Sequence, residues 1–156
     1  MVSIDSGEGA LLANGSQCVS TAIRKAARRA TQFYDTALAG GLKSTQFAIL
    51  AELKRAGNSC CLGDLADLLV MERSALGHSL RPLEREGLVV LQVDVADGRK
   101  RVAALTPIGV TRHGAVELKW RVAQQAFMDA VGSKVAAEIR DKMLGIAANP
   151  QLAGVS

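Results

Sequence analysis

A mainly helical chain with one small β-hairpin is predicted by three observations. Apolar residues recur at helical spacing through most of the sequence. Aromatic residues make up only 3% of the chain, which favours helices packed through small and aliphatic side chains over a β-sandwich. Two short β-type runs, residues 88–94 (LVVLQVD) and 101–106 (RVAALT), flank an Asp97-Gly98 turn and pair as a hairpin.

The elements follow in order. Residues 1–16 mix Gly, Ser, Asn and acidic residues without periodicity and read as a flexible tail. A first helix is predicted from Gln17 to about Ala39, striped by Ala22, Ile23, Ala26, Ala27, Ala30, Phe33, Tyr34, Ala37 and Leu38 and stopped by Gly40-Gly41. Ser44 or Thr45 is placed to cap a second helix, with Phe47, Leu50 and Leu53 inward and Gly57-Asn58 at its end. Leu62, Leu65, Ala66 and Leu69 then predict a short helix. After a break near Val70-Met71, Leu76, Leu80 and Leu83 predict another, ending at Gly87. Pro82 lies inside that helix and is expected to kink it. Beyond the hairpin, Pro107 opens a long fifth helix to about Val131. Gly132-Ser133 breaks it, and residues 134–148 form a last amphipathic helix.

Two short helices followed by a hairpin are, by element order, a winged helix-turn-helix. The predicted organisation is a tail over 1–16, a DNA-binding winged helix over 44–106, and dimerisation helices over 17–43 and 107–149. The outer helices carry more apolar face than one small domain can cover, so an intertwined homodimer is expected.

With 156 residues, 49% of them apolar, the chain can bury a core and is not a disordered polymer. A net charge of +4 biases it mildly towards polyanions. No apolar run is long enough to span a membrane, and the N-terminus lacks the basic start of a secretory signal. Three cysteines, Cys18, Cys60 and Cys61, are no disulfide framework, and point to a reducing, cytoplasmic setting.

A helix-turn-helix reads DNA with the outward face of its second helix. With Leu76 set at zero and about 100° per residue, Leu80 and Leu83 fall on its side, whereas Ser74, His78, Arg81 and Arg85 fall opposite. Hydroxyl, imidazole and guanidinium groups suit base edges and phosphates. Glu72, Glu84 and Glu86 weaken non-specific attraction there. The hairpin tip stacks Arg99, Lys100 and Arg101, as a wing crossing phosphates requires, and Asp97 is placed to pair with Arg99 and aim it.

These residues resemble the MarR family of bacterial transcription regulators. Asp97-Gly98-Arg99, Leu105-Thr106 and Gly109 match that family's D-x-R wing and L-T-x-x-G motif, and Leu65 to Val90 resembles its helix-turn-helix. Residues 27–50 resemble the first two helices of a subgroup, and the resemblance runs from about Cys18 to Asn149. It implies a homodimer joined by helices from both termini and bound to double-stranded DNA at a palindromic promoter site, most often as a repressor. It further implies release by a small phenolic or anionic effector entering a cleft between the dimerisation and DNA-binding parts, or by oxidation of a cysteine near the first helix. The candidate DNA contacts are Arg73, Ser74, Ala75, Gly77, His78, Arg81, Asp97, Arg99, Lys100 and Arg101. Gly77 and His78 stand where many relatives carry larger or basic residues.

For the effector, His113, Val116, Glu117, Trp120 and Gln124 form one stripe on the fifth helix. Arg28 supplies an anion contact, so the candidates are Arg28, His113, Glu117 and Trp120. Cys18, at the start of the first helix near Arg24 and Lys25, is the redox candidate, although its register departs from that of the peroxide-sensing relatives. Cys60-Cys61 lacks a zinc-site spacing and reads as buried structural thiols. No catalytic constellation, metal site or cofactor motif is expected, so the chain is not read as an enzyme. A winged helix that binds protein instead of DNA is the alternative class; the cationic wing argues against it.

Overall fold

The computed structural model describes residues 18–153; the tail expected over 1–16 lies outside them. The order is α1 (Val19–Ala37), α2 (Ser44–Arg55), β1 (Ser59–Cys61), α3 (Leu62–Leu68), α4 (Arg73–Arg85), β2 (Val89–Val93), β3 (Arg101–Leu105), α5 (Pro107–Val131) and α6 (Ser133–Ala147), with a final 3₁₀ turn at Pro150–Leu152. The mainly helical winged helix-turn-helix read from the sequence is the fold observed.

The core lies where the inward faces of α2, α3 and α4 meet the sheet. Leu50, Leu53, Leu65, Leu80 and Leu83 are fully buried there, with Leu88, Val89 and Ala103 closing the sheet side. All three leucines predicted to face inward from α4 do so, because residues four and three apart share a helix face. Between α3 and α4 the chain turns at Val70, whose φ of 51° is left-handed, a costly conformation for a β-branched residue. There the amide of Met71 donates to the Ala66 carbonyl at 2.9 Å. Gly87, with φ 70°, ends α4 where the sequence placed the stop.

Three local expectations need correction. The hairpin is part of a three-stranded antiparallel sheet in the order β1-β3-β2, with Cys60 opposite Ala103 and Leu91 opposite Ala103 on the other side. A three-residue strand of Ser-Cys-Cys carries too little periodicity to be read in advance. Second, Ser44 does not cap α2. Lys43 holds the cap position and its amide donates to Gln46 Oε1 at 3.0 Å, whereas Ser44 donates from both amide and hydroxyl to Asp35 Oδ1 at 2.7 and 2.6 Å. That tie fastens α1 to α2 and holds the Asp35 carboxyl below its usual range. Third, Cys60 and Cys61 are half-buried rather than fully covered, although burial pushes the Cys60 thiol pKa up. As the leucine spacing required, α4 runs on through Pro82 to Arg85 as one helix.

The sheet joins α5 through a compact junction. Thr106 caps α5, its hydroxyl oxygen accepting from the Gly109 amide at 3.0 Å and its hydroxyl donating to the Gly87 carbonyl at 2.6 Å. Its amide donates to the Leu88 carbonyl at 3.1 Å. Gly109 lies so close that a Cβ there would collide with the Leu88 carbonyl. The L-T-x-x-G pattern is therefore a packing requirement, with leucine inward, threonine as cap and tie, and glycine as clearance.

The outer helices behave differently. Neither α1 nor α6 buries a residue within the single chain, and Leu118, Val122, Val135, Ile139 and Leu144 stand exposed on α5 and α6. On the inner side, Tyr34 and Phe127 stack with centroids 5.7 Å apart and link α1 to α5.

Gly109→Ala should lower the free energy of unfolding by about 1–3 kcal/mol, because the new methyl meets backbone that cannot move aside. Gly77→Ala, in a helix with open space around it, should leave stability unchanged or raise it by about 1 kcal/mol. Urea unfolding of the two variants checks the contrast.

Candidate nucleic-acid interface and effector cleft

Burying Leu76, Leu80 and Leu83 turns the other face of α4 outward. Arg73, Ser74, Ala75, His78 and Arg81 are exposed on it, as is Arg85, and Gly77 is half-buried. Beside this face a groove of about 380 Å³ opens between the start of α3, the start of α4 and the wing. Arg73 and Gly77 line it from α4, Arg99, Lys100 and Arg101 from the wing, and Asp64 from α3. Among the described residues, none of Arg73, Arg81, Arg85, Arg99, Lys100 or Arg101 is held in an ion pair or a side-chain hydrogen bond. Four cations thus converge on one groove with their donors free. The first turn of α3 forms one wall of it, a contribution that sequence spacing did not reveal, and a Cβ at Gly63 would lie 3.4 Å from the Arg73 guanidinium.

The wing tip is built by two aspartates acting on backbone. Asp94 Oδ1 accepts from the amides of Ala96 and Asp97 at 2.8 and 2.9 Å, and the Asp94 amide donates to the Lys100 carbonyl at 2.9 Å. Asp97 Oδ1 accepts from the backbone amide of Arg99 at 3.1 Å. This corrects the expected Asp97–Arg99 side-chain pair. The carboxylate orders the turn that presents Arg99, and no ion pair among the described residues joins the two side chains.

A second concavity, of about 360 Å³, lies between α2 and α5 and is lined by Phe47, Ala51, Lys54, Arg55, His113, Glu117 and Trp120. It brings together three of the four effector candidates. Arg28 is exposed on α1 and lines neither this cleft nor the neighbouring one. Val116 belongs to the core. Gln124 faces the neighbouring cleft of about 470 Å³ between α1, α5 and α6, where its Oε1 accepts from the Tyr34 hydroxyl at 2.6 Å. Trp120 is the wall shared by both. Lys54 and Arg55 were missed in the sequence; Phe47, Ala51 and Lys54 share helical spacing, which carries the signal only once the facing helix is known.

The first cleft has an ordered aromatic wall. His113 stacks on Phe47 at 4.9 Å with the rings 8° from parallel, and Trp120 stacks on Phe47 at 5.8 Å. Glu117 Oε1 accepts from Arg121 at 2.9 Å, and Oε2 lies 3.6 Å from Lys54 Nζ. The Arg121 hydrogen bond, above all, holds the Glu117 carboxyl below its usual range. His113 is buried and neither ring nitrogen has a hydrogen-bond partner among the described residues. Burial first, then the Lys54 charge, push its pKa down.

Cys18 stands at the N-cap of α1, where the amide and hydroxyl of Thr21 and the amide of Ser20 lower its thiol pKa.

The fold is a winged helix-turn-helix with a basic groove beside the outward face of its second helix. The model of the MarR family matches residues 40–100, from the loop before α2 to the wing tip. The matched stretch holds the helix-turn-helix and wing residues that carried the resemblance to that family in the sequence; Leu105, Thr106 and Gly109 lie just past it. Over 73 residues the chain is 36% identical to the transcriptional activatory protein BadR of Rhodopseudomonas palustris, and the match spans 46% of this chain and 42% of that protein. Among solved structures it is similar to the transcriptional regulator MosR of M. tuberculosis in complex with DNA, at 29% identity over 83% of this chain and 93% of that one, with a TM-score of 0.74. It also shares its fold with BpsR of Bordetella bronchiseptica, at 20% identity, covering 86% of this chain and 96% of that one, TM-score 0.75. No helix among the described residues is long and apolar enough to cross a membrane.

Asp94→Ala should speed amide hydrogen exchange at Ala96 and Asp97 while leaving the global unfolding midpoint nearly unchanged, since both lost bonds are confined to an exposed turn. Residue-resolved exchange checks it.

Proposed function

We propose that this chain is a homodimeric, sequence-specific DNA-binding transcription regulator that releases its promoter site when a small aromatic or anionic molecule enters the cleft at Trp120. The observation that carries the reading is the groove in which Arg73, Arg99, Lys100 and Arg101 converge beside the exposed face of α4. Free guanidinium and ammonium donors on a helix-plus-ribbon surface are what phosphates and base edges require. MosR, solved in complex with DNA, supports the same reading.

In this reading α4 lies in the major groove with Ser74, Ala75, Gly77, His78 and Arg81 towards base edges, and Arg73 positions its start. The wing carries Arg99 to the minor groove, with Lys100 and Arg101 on phosphates and Asp97 holding the turn. The exposed apolar faces of α1, α5 and α6 supply the dimer contact and set the spacing of the two reading helices, hence a palindromic site. The sense of regulation we assign is repression by occupying the promoter, whereas the relative BadR is named as an activatory protein.

The effector reading rests on the cleft between α2, which belongs to the winged helix, and α5, which leads into the outer helices. A ligand shifts DNA affinity only by preferring one arrangement of those two parts. BpsR, whose DNA binding is regulated by 6-hydroxynicotinic acid, supports an aromatic acid. The second reading, oxidation at Cys18, is favoured by its lowered thiol pKa.

Arg99→Ala should weaken binding to a selected duplex by about 1–3 kcal/mol with the fold unchanged. Arg81→Ala and His78→Ala should change the motif recovered by binding-site selection. An Arg99→Ala protein that binds as tightly as the parent removes the wing from the mechanism. A compact monomer by light scattering at micromolar concentration removes the dimer.

For the signal, DNA release is compared with peroxide and with a panel of aromatic acids. Trp120→Ala should abolish the response to the acids and Cys18→Ser should leave it intact; the opposite result establishes the redox reading.

A further inference from the structure

His113 is the one buried side chain among the described residues whose hydrogen-bonding atoms have no partner. A neutral imidazole carries one donor and one acceptor, and leaving both unmade in a buried place costs stability that a structural residue does not need to spend. Its position explains the arrangement. The ring forms part of the wall of the α2–α5 cleft, flat against Phe47, and its Nδ1 lies 3.9 Å from Glu117 Oε2, too far for a hydrogen bond. Glu117 is held away by Arg121 at 2.9 Å, and its second oxygen stands between Lys54 and His113 without a close bond to either. That second oxygen marks a place already suited to a carboxylate, with a cation on one side and an unsatisfied imidazole on the other.

We propose that the cleft binds a planar aromatic carboxylic acid together with one proton, the ligand's carboxylate taking the place of Glu117 Oε2 between Lys54 and His113 and His113 taking up the proton. This rests on the effector reading, which already supplies the aromatic acid, and adds to it the proton taken up at His113 and hence the regulation of binding by pH. The aromatic ring of the ligand lies along Trp120 and Phe47, whose rings stand 26° from parallel. The carboxylate meets Lys54, with Arg55 at the rim. Arg121 retains Glu117, which swings out of the way on the bond it already makes. His113 acts as a positioning residue: protonated, both of its nitrogens donate, and Nδ1 can bond the incoming anion at ordinary hydrogen-bond length.

The charged groups facing His113 are Glu117 on its own helix and Lys54 and Arg55 from α2; neither α1 nor β3 puts a titratable group on the cleft wall. Burial and Lys54 disfavour the imidazolium in the free protein, and Glu117 favours it weakly from 3.9 Å. An anion at hydrogen-bond distance favours it more strongly, so the bound state holds the proton at a pH where the free state does not. Affinity therefore rises as pH falls through the bound-state pKa and levels off below the free-state pKa, which lies under the ordinary histidine value. The ligand carboxylate stays ionised above about pH 5, so the slope belongs to the protein.

The test is calorimetric binding of benzoate and 4-hydroxybenzoate to the full chain, in two buffers of different ionisation heat, from about pH 5 to 8. We expect net proton uptake of up to one per site, with affinity rising by up to about tenfold per pH unit of decrease inside the window. His113→Gln should bind with no proton uptake and a flat pH profile. Glu117→Gln should bind several-fold tighter, because the competing carboxylate is gone, and should keep the pH slope. Binding without proton uptake in the wild type, or an unchanged slope in His113→Gln, overturns the inference and leaves the effector cleft standing. If neither acid binds at any pH, the inference falls together with the aromatic-acid reading of the cleft. Should His113→Gln fail to fold, the wild-type proton count and the Glu117→Gln shift decide the matter.

Discussion

The carbonyl groups of Gly87 and Leu88, at the point where α4 gives way to β2, hold the two halves of this molecule in register. Thr106 bonds both, through its hydroxyl to Gly87 and its amide to Leu88, while capping α5 with the same hydroxyl oxygen. Gly109 lets the first turn of α5 press against the Leu88 carbonyl. The end of α4, the root of the wing and the start of α5 are thus fastened at one spot. A capped, close-packed junction requires a glycine and a threonine at fixed spacing; what it produces is a fixed point of attachment between the winged helix and the start of α5.

That fastening gives the α2–α5 cleft its leverage. Phe47 and Lys54 stand on one wall and His113, Glu117 and Trp120 on the other. In the proposed reading, a molecule that spreads or tightens this gap rotates the reading surface relative to helices whose apolar faces the single chain leaves uncovered. In the proposed dimer that rotation would change the separation of the two α4 helices. Half-sites one helical turn apart tolerate little such change, so a small movement at the cleft would alter DNA affinity.

Much of this was legible in the sequence because periodicity and turn chemistry are local. The leucines of α4 announced both the buried face and, by opposition, Ser74, His78 and Arg81. Asp97-Gly98 announced the turn, and Pro107 the start of α5. The unreadable parts depend on partners distant in the chain. β1 is too short to show alternation and exists because β3 offers it an edge. Ser44 looked like a cap until Asp35, nine residues earlier, took both its donors. Asp97 was expected to grip the Arg99 side chain and instead bonds its amide, since a two-residue reach in a tight turn favours backbone. Lys54 and Arg55 drew no reading in the sequence, because only the crossing of α5 over α2 makes them cleft residues. Arg28, chosen for its charge alone, stands apart from that cleft.

The central claim is that the groove and the exposed face of α4 bind duplex DNA through free cations. It is tested most directly by titrating a duplex recovered by binding-site selection across a series of salt concentrations. The account predicts that the logarithm of the binding constant falls linearly with the logarithm of salt, with a slope near −0.9 for each phosphate contacted and several contacts per dimer. Binding that is indifferent to salt, or no duplex bound at low salt, would contradict it and move the surface to a protein partner.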